Sequence, residues 1–257
     1  MFTPRTPRIV AARRLHRRRD RDQARRFLAE GPQAVREALA AGVVLELFGT
    51  PAGLEKHAEL TAQAPEVSPV TDEALAALTE TVHPQGVVAL CEQVDVPIAE
   101  ALGKRPTLVA VLAEIRDPGN AGTILRTADA AGADAVIFAG DAVDPYNGKC
   151  VRSSAGSLFH VDVVRAPLGV LDLLQDSGLQ VLATSGTGAD DVDSLLDGGL
   201  LSAPTAWLFG SEAHGLGGDL LAAADRRVRV PIYGGAESLN LAAAAAVCLY
   251  ASARAQR

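Results

Sequence analysis

Short apolar runs alternate with amphipathic stretches along most of the chain. In the C-terminal part, LVAVLAEI (108–115), AVIFA (135–139), VDVVR (161–165), LQVLAT (179–184), AWLFG (206–210) and VRVPI (228–232) are rich in Val, Leu and Ile. Near-continuous apolar strands of this length predict a parallel sheet buried on both faces. Helical patterns are expected over 121–131, 168–177 and 216–224, with a last helix over about 237–256 that contains five consecutive alanines, 242–246. Strands alternating with helices predict a doubly wound α/β domain. The preceding part reads as a smaller α/β unit. FLAEGPQAVREALA (27–40) is a strand or short approach followed by a helix with Val35, Ala38 and Leu39 on one face, stopped at Gly42. VVLELFGT (43–50) and GVVALCEQV (86–94) are expected strands, and LEKHAELTAQA (54–64) and TDEALAALTE (71–80) expected helices, the latter capped by Thr71 or Asp72. DVPIAEALGKRP (95–106) carries turn residues. The organisation expected is an arm over 1–26, a small α/β domain over 27–97, a linker over 98–106 and the larger domain over 107–257.

Composition narrows the class. Of 257 residues 48% are hydrophobic and the formal net charge is −7, which excludes a uniformly basic nucleic-acid binder. Cys91, Cys150 and Cys248 lie far apart with no CxxC pair, so neither a zinc ribbon nor a disulfide framework is expected, and a reducing cytoplasm fits. No apolar run approaches the roughly 18 residues of a membrane helix, and the start lacks the apolar core of a secretion signal. Neither a metal nor a membrane partner is expected. The average charge hides an asymmetry: residues 1–26 carry ten Arg against Asp20 and Asp22, a net +8, and the remainder carries −15. Such an arm can hold a polyanion by releasing its counterions, or can serve solubility alone. Arg17, Arg18 and Arg19 form a dense cluster in it, Arg suits bidentate phosphate contacts, and with Arg13 and Arg14 they are its candidate RNA contacts.

Ligands of doubly wound sheets bind at the carboxyl ends of the strands. Three loops stand there. IRDPGNAGTILRTADAAGAD (115–134) runs from a strand through a turn into a helix, with Asn120 at or beside its N-cap and Arg126 among Ile124, Leu125, Ala128 and Ala130. A cation on a largely apolar helix wants an anionic partner, protein or ligand. WLFGSEAHGLG (207–217) is not the nucleophile elbow GxSxG; its glycines allow close backbone approach to a ligand. VPIYGGAESLNLAAAAAV (230–247) places Ser238 and Asn240 before an alanine-rich helix. Taken singly, Asn120 and Ser238 also read as caps and Glu212 as a solvated turn carboxylate. The chain has no GxxxxGK[ST], and no GxGxxG follows a strand and opens a helix, so a nucleotide triphosphate or nicotinamide cofactor is disfavoured.

In this order and spacing the three loops resemble the motifs of SpoU/TrmH-type 2′-O-ribose RNA methyltransferases of the SPOUT class, and CVRSSAGSLFHVDV (150–163) resembles the Arg-Ser-Ala-Gly segment of that family. Residues 27–95 resemble the small ribosomal-protein-like α/β domain that often precedes the catalytic one. The resemblance implies a parallel-sheet SPOUT domain with a deep trefoil knot, a homodimer, and S-adenosylmethionine as methyl donor. It implies catalytic roles for Arg126, Asn120, Glu212, Ser238 and Asn240, with Arg126 acting at the ribose hydroxyl and Glu212 orienting it. Donor contacts are implied at Thr184, Ser185, Gly186, Gly210, Val230, Ile232 and Leu239, and an RNA contact at Arg152, beside those that the charge of the arm allows. Ribosomal RNA is the favoured substrate, with transfer RNA or a catalytically silent RNA-binding relative as alternatives; a dehydrogenase or hydrolase lacks its motifs.

Overall fold

A computed structural model describes all 257 residues. The chain forms two compact units, one made of Met1–Val94 together with Asp144–Phe159, the other of Asp95–Val143 with His160–Arg257.

The first unit is built on a four-stranded sheet of β1 (Arg26–Glu30), β2 (Val44–Gly49), β3 (Val67–Pro69) and β4 (Val87–Glu92), in the order β1-β4-β2-β3. β4 runs antiparallel to both neighbours, and β3 is parallel to β2. Residues 1–26 are not a detached arm. They form the helices Pro7–Arg14 and Arg18–Ala24, and Ile9, Ala12 and Leu15 are buried with Leu28, Phe48, Val70, Leu75 and Leu78. The apolar positions recur at helical spacing inside an arginine-rich string, and burying them orders the segment. Arg21 is buried too: its Nε and Nη2 each lie 2.7 Å from Asp144 Oδ2, and Nη1 donates to the Leu15 and His16 carbonyls at 2.8 and 2.9 Å. The 144–159 segment, expected within the larger domain, belongs to this first unit. It includes the helix Gly148–Ser153, and its Tyr146 packs on Phe27 with ring centroids 4.8 Å apart and planes tilted by 41°, and accepts a hydrogen bond from Val94 N–H. The helix expected over 54–64 breaks in two at His57, whose backbone leaves the helical region.

The second unit holds seven strands: β5 (Leu108–Ala113), β6 (Ala135–Ala139), β7 (Asp162–Ala166), β8 (Gln180–Thr184), β9 (Asp190–Asp191), β10 (Thr205–Phe209) and β11 (Arg226–Arg229). Their order is β7-β6-β5-β10-β8-β11-β9, every pairing parallel. β5, β6 and β10 are buried at every position, as a sheet covered on both faces requires. The stretch expected as a linker contains the helix Ile98–Gly103, whose Ala101 joins this core. No helix is long and apolar enough to cross a membrane.

Trp207, at the centre of β10, is fully buried, and its indole N–H donates to the equally buried Ser252 hydroxyl at 2.8 Å. Trp207→Phe would leave that hydroxyl without its donor and open a void. A loss of about 1–3 kcal/mol in urea unfolding is expected, and an unchanged midpoint would show that the bond contributes nothing.

Candidate active site

β5 and β10 are neighbours in register, Leu112 beside Phe209, so the loops after them emerge side by side. Asp117 ends the first loop as the N-cap of the helix Pro118–Ala131, accepting from the Gly119 and Asn120 N–H groups. Proline at the first helical position fits this start. Asp117, rather than Asn120, is thus the cap, which frees the Asn120 side chain for the neighbouring loop. Its amide nitrogen donates to Glu212 Oε1 at 3.0 Å, and the Arg116 and Asp117 N–H groups donate to the same carboxylate at 3.3 Å each. Asn120 Oδ1 accepts from Asn240 Nδ2 at 3.1 Å. Asn240 in turn caps the final helix, Leu241–Ala255, accepting from Ala242 and Ala243 N–H at 2.9 and 3.3 Å. An ionised carboxylate only accepts, and both helix N–H groups only donate, so the two amide orientations are fixed from both ends. The helix expected from 237 therefore starts at Leu241, and Asn240 instead of Ser238 is its cap.

Glu212 is held in its charged form. Desolvation pushes its carboxyl upward, but the Asn120 amide and the N–H groups of Glu212 itself, Arg116 and Asp117 outweigh this, so it titrates below the ordinary carboxylate value. A folded-state pKa below the unfolded one contributes stability above the unfolded value, lost as pH falls through the folded one. Comparison of wild type with Glu212→Gln between pH 6 and 3 is expected to show a steeper acid-side loss of urea stability in the wild type; parallel curves would contradict it.

The loop carrying Glu212 is closed tightly. Ser211 and Gly215 exchange backbone hydrogen bonds at 3.1 and 2.8 Å, Gly215 sits at φ +66°, and a Cβ on Gly210 would lie 2.4 Å from the Gly215 carbonyl carbon. Only glycine fits at 210. The ends of β8 and β11 adjoin. The Thr184 hydroxyl donates to the Leu208 carbonyl at 2.9 Å, Ser185 N–H donates to the Val228 carbonyl at 2.9 Å, and open space surrounds Gly186. Val230 is half-buried, whereas Ile232 and Leu239, on the irregular stretch that follows, are exposed apolar side chains. The Tyr233 hydroxyl donates to Asp193 at 2.8 Å and pins that stretch midway. No group of three or more His, Cys, Asp or Glu side chains is arranged to hold a metal ion.

Two expected members stand apart from the Asn120–Glu212–Asn240 network. Ser238 is exposed and makes no side-chain hydrogen bond within the chain. Arg126 lies on the exposed face of its helix with Thr123 and Ala130, without an ion pair or side-chain hydrogen bond within the chain. The expectation that Glu212 orients Arg126 is therefore corrected: Glu212 holds the 116–120 turn, because backbone donors there satisfy it first. Sequence reasoning missed Arg116 and Asp117 as partners of Glu212. The Asp-Pro pair at 117–118 is the signal that could have found the cap.

In the first unit, Arg13, Arg14, Arg17, Arg18 and Arg19 are all exposed. Only two of them approach an acid, Arg14 to Asp20 at 3.7 Å and Arg18 to Asp22 at 3.8 Å, surface pairs of little strength. Arg152 differs. It is three-quarters buried and lies 3.1 Å from Glu30 and 3.7 Å from Glu80, so it is not a free phosphate contact.

Comparison with known proteins joins these features. A family model described as the SpoU rRNA Methylase family matches residues 107–250, and one described as an MRM3-like substrate binding domain matches residues 6–89. The chain is 35% identical to the 23S rRNA (guanosine(2553)-2'-O)-methyltransferase RlmP of Bacillus subtilis, over 93% of this chain and 92% of the relative. It is 34% identical to the 23S rRNA (guanosine-2'-O-)-methyltransferase RlmB of Bordetella pertussis over 73% and 78% of the two chains. Among solved structures, the AdoMet-bound rRNA methyltransferase from Sinorhizobium meliloti superposes with a TM-score of 0.83 at 33% identity, covering 97% of this chain and 95% of that one. The SpoU methyltransferase AviRb from Streptomyces viridochromogenes, in complex with AdoMet, does so at 0.80 and 29%, covering 97% and 98%.

Proposed function

The chain belongs to the SpoU rRNA methylase family, and from that premise we propose that it transfers a methyl group from S-adenosylmethionine to a ribose 2′-hydroxyl of ribosomal RNA, 23S rRNA being the substrate its relatives' names favour. The observation that carries the reading is the Asn120–Glu212–Asn240 network, which ties the loops after β5 and β10 to the final helix.

The loops fit the donor. The open backbone at Gly186, the glycine that must stand at 210 and the apolar side chains of Ile232 and Leu239 suit a ligand with one polar end and a flat adenine. Thr184, Ser185, Gly186, Gly210, Val230, Ile232 and Leu239 would hold it, largely through backbone groups. When bound, it supplies a methyl group made electrophilic by a sulfonium. The chain's own residues must then align the hydroxyl and offset the charge that grows on its oxygen as the proton departs. Arg126 suits the second task. A guanidinium stays protonated, so its role is to bind the neighbouring phosphate and stabilise the developing alkoxide, the proton passing to phosphate or water. Asn120, Glu212 and Asn240 keep the turn before that helix in place, and Ser238, free of other partners, is available to the ribose.

The reading includes a homodimer and the knotted chain path of the family. Exposed Val247 and Tyr250, four and seven residues beyond Ala243 on one face of the final helix, give an apolar stripe for a second copy. The first unit, with its exposed arginines, is the RNA-binding domain, and the setting is the cytoplasm. Tritiated-methyl transfer to 23S rRNA, with calorimetry of donor binding, tests the proposal. Counts in rRNA at a ribose oxygen and heat of donor association are expected; the absence of both overturns it.

A further inference from the structure

The first unit contains a cavity of about 330 Å³ lined by Glu30, Gly31, Gln33, His83, Gln85 and Arg152, with Ala34, Val87 and Ala155 as its apolar wall. That volume is at the small end of those that hold compact ligands. The charges in it cancel. The buried Glu30 carboxylate accepts from Glu80 N–H at 2.8 Å and from the Thr81 hydroxyl at 3.3 Å, and Arg152 lies 3.1 Å away. A cation finds no free carboxylate there, and an anion would meet Glu30 on the wall. Arg152 Nη1 is buried and, despite its closeness to Glu30, has no directed hydrogen bond.

The groups left over have no side-chain partner within the chain. The His83 and Gln85 side chains make no side-chain hydrogen bond within the chain. The helix Pro32–Ala40 begins at the cavity with Gly31 as an N-cap that brings no side chain, so the first-turn N–H groups of Gln33 and Ala34 go uncapped. Gly31 sits at φ +85°, a conformation that favours glycine, and the Gln85 amide oxygen lies close against it, 2.8 Å from where a Cβ would stand. A small hole with neutral donors at one end, an imidazole at its rim and apolar walls matches a planar heterocycle with carbonyl oxygens on its edge.

We propose that this cavity receives an unstacked nucleobase of the substrate RNA, uracil or guanine, with the uncapped N–H groups and Gln85 reading its edge and His83 packing on its face. The inference rests on the RNA-methyltransferase reading and deepens it, since neither the exposed arginines nor the network around Glu212 reads a base.

The test uses the full chain and a transcript of 23S rRNA. His83→Ala/Gln85→Ala changes two exposed side chains, and an unchanged urea midpoint verifies its fold. Its Kd for the transcript is expected to rise about tenfold. The dependence of Kd on salt should keep the wild-type slope, because no phosphate contact is lost. Transcripts carrying 4-thiouridine or 6-thioguanosine should crosslink to peptides covering 30–36 or 79–87. Unchanged affinity, a shallower salt slope, or crosslinks confined to residues 7–24 would each overturn the proposal. If the wild type transfers no methyl group, the enzymatic reading fails separately, and the affinity and crosslinking measurements still decide whether the cavity holds a base.

Discussion

Arg126→Ala is expected to lower methyl transfer about a hundredfold or more while leaving donor affinity and folding stability at wild-type values. The magnitude follows from removing one preorganised charge from a developing oxyanion, about 3 kcal/mol of barrier. Stability should hold because the side chain is exposed and makes no bond within the chain, and such substitutions stay within about 0.5 kcal/mol. A buried, paired arginine would behave in the opposite way. Arg126→Lys keeps the charge but not the planar fork, so an intermediate rate is expected. Single-turnover transfer measured beside donor calorimetry checks both halves. A wild-type rate in the alanine variant would remove Arg126 from the reaction, and a loss of donor binding would reassign it to the cofactor site.

Arg21→Ala is expected to cost about 3–5 kcal/mol, because removing one partner leaves a buried charge uncompensated. Arg21 and Asp144 are each 3% exposed. The guanidinium meets the carboxylate through two nitrogens and holds two backbone carbonyls besides. Loss of the side chain leaves Asp144 Oδ2 without either donor, its other oxygen still bound to Tyr146 N–H at 3.0 Å. Arg21→Met/Asp144→Leu, which removes both charges and keeps apolar volume, should recover most of the loss. Urea unfolding of the three proteins measures the cycle. If the single variant is as stable as wild type, the pair contributes no more than a surface contact.

The contrast between Arg126 and Arg21 shows what a sequence can and cannot display. Both stand in helices, Arg126 among apolar residues and Arg21 in a run of charged ones, and nothing local separates Arg21 from the other arginines of 1–26. Arg21 is buried because Asp144 reaches it from 123 positions along the chain, a separation that no periodicity reports. The strands of the larger sheet were legible because burial on both faces demands near-continuous apolar residues; β5 and β6 are apolar throughout, and β10 departs only at Thr205. The helices at 7–24 were not, since Ile9, Ala12 and Leu15 are few against seven arginines. β3 escaped notice because Val67–Pro69 is three residues long and ends in proline. Of the candidate site, the loops and their residues were readable through their order. The partner of Glu212 was not, because its donors are mainly backbone N–H groups and carry no side-chain signature.

The discontinuity of the first unit bears on how the protein is made. A ribosome releasing the chain from its N-terminus delivers Arg21 long before Asp144, and Phe27 long before Tyr146. The four-stranded sheet can assemble once Glu92 has emerged, yet the Arg21 guanidinium waits without its carboxylate until some fifty further residues have been translated. Nascent chains arrested after Val94 should therefore be protease-sensitive around residues 7–24, and arrest beyond Phe159 should protect them.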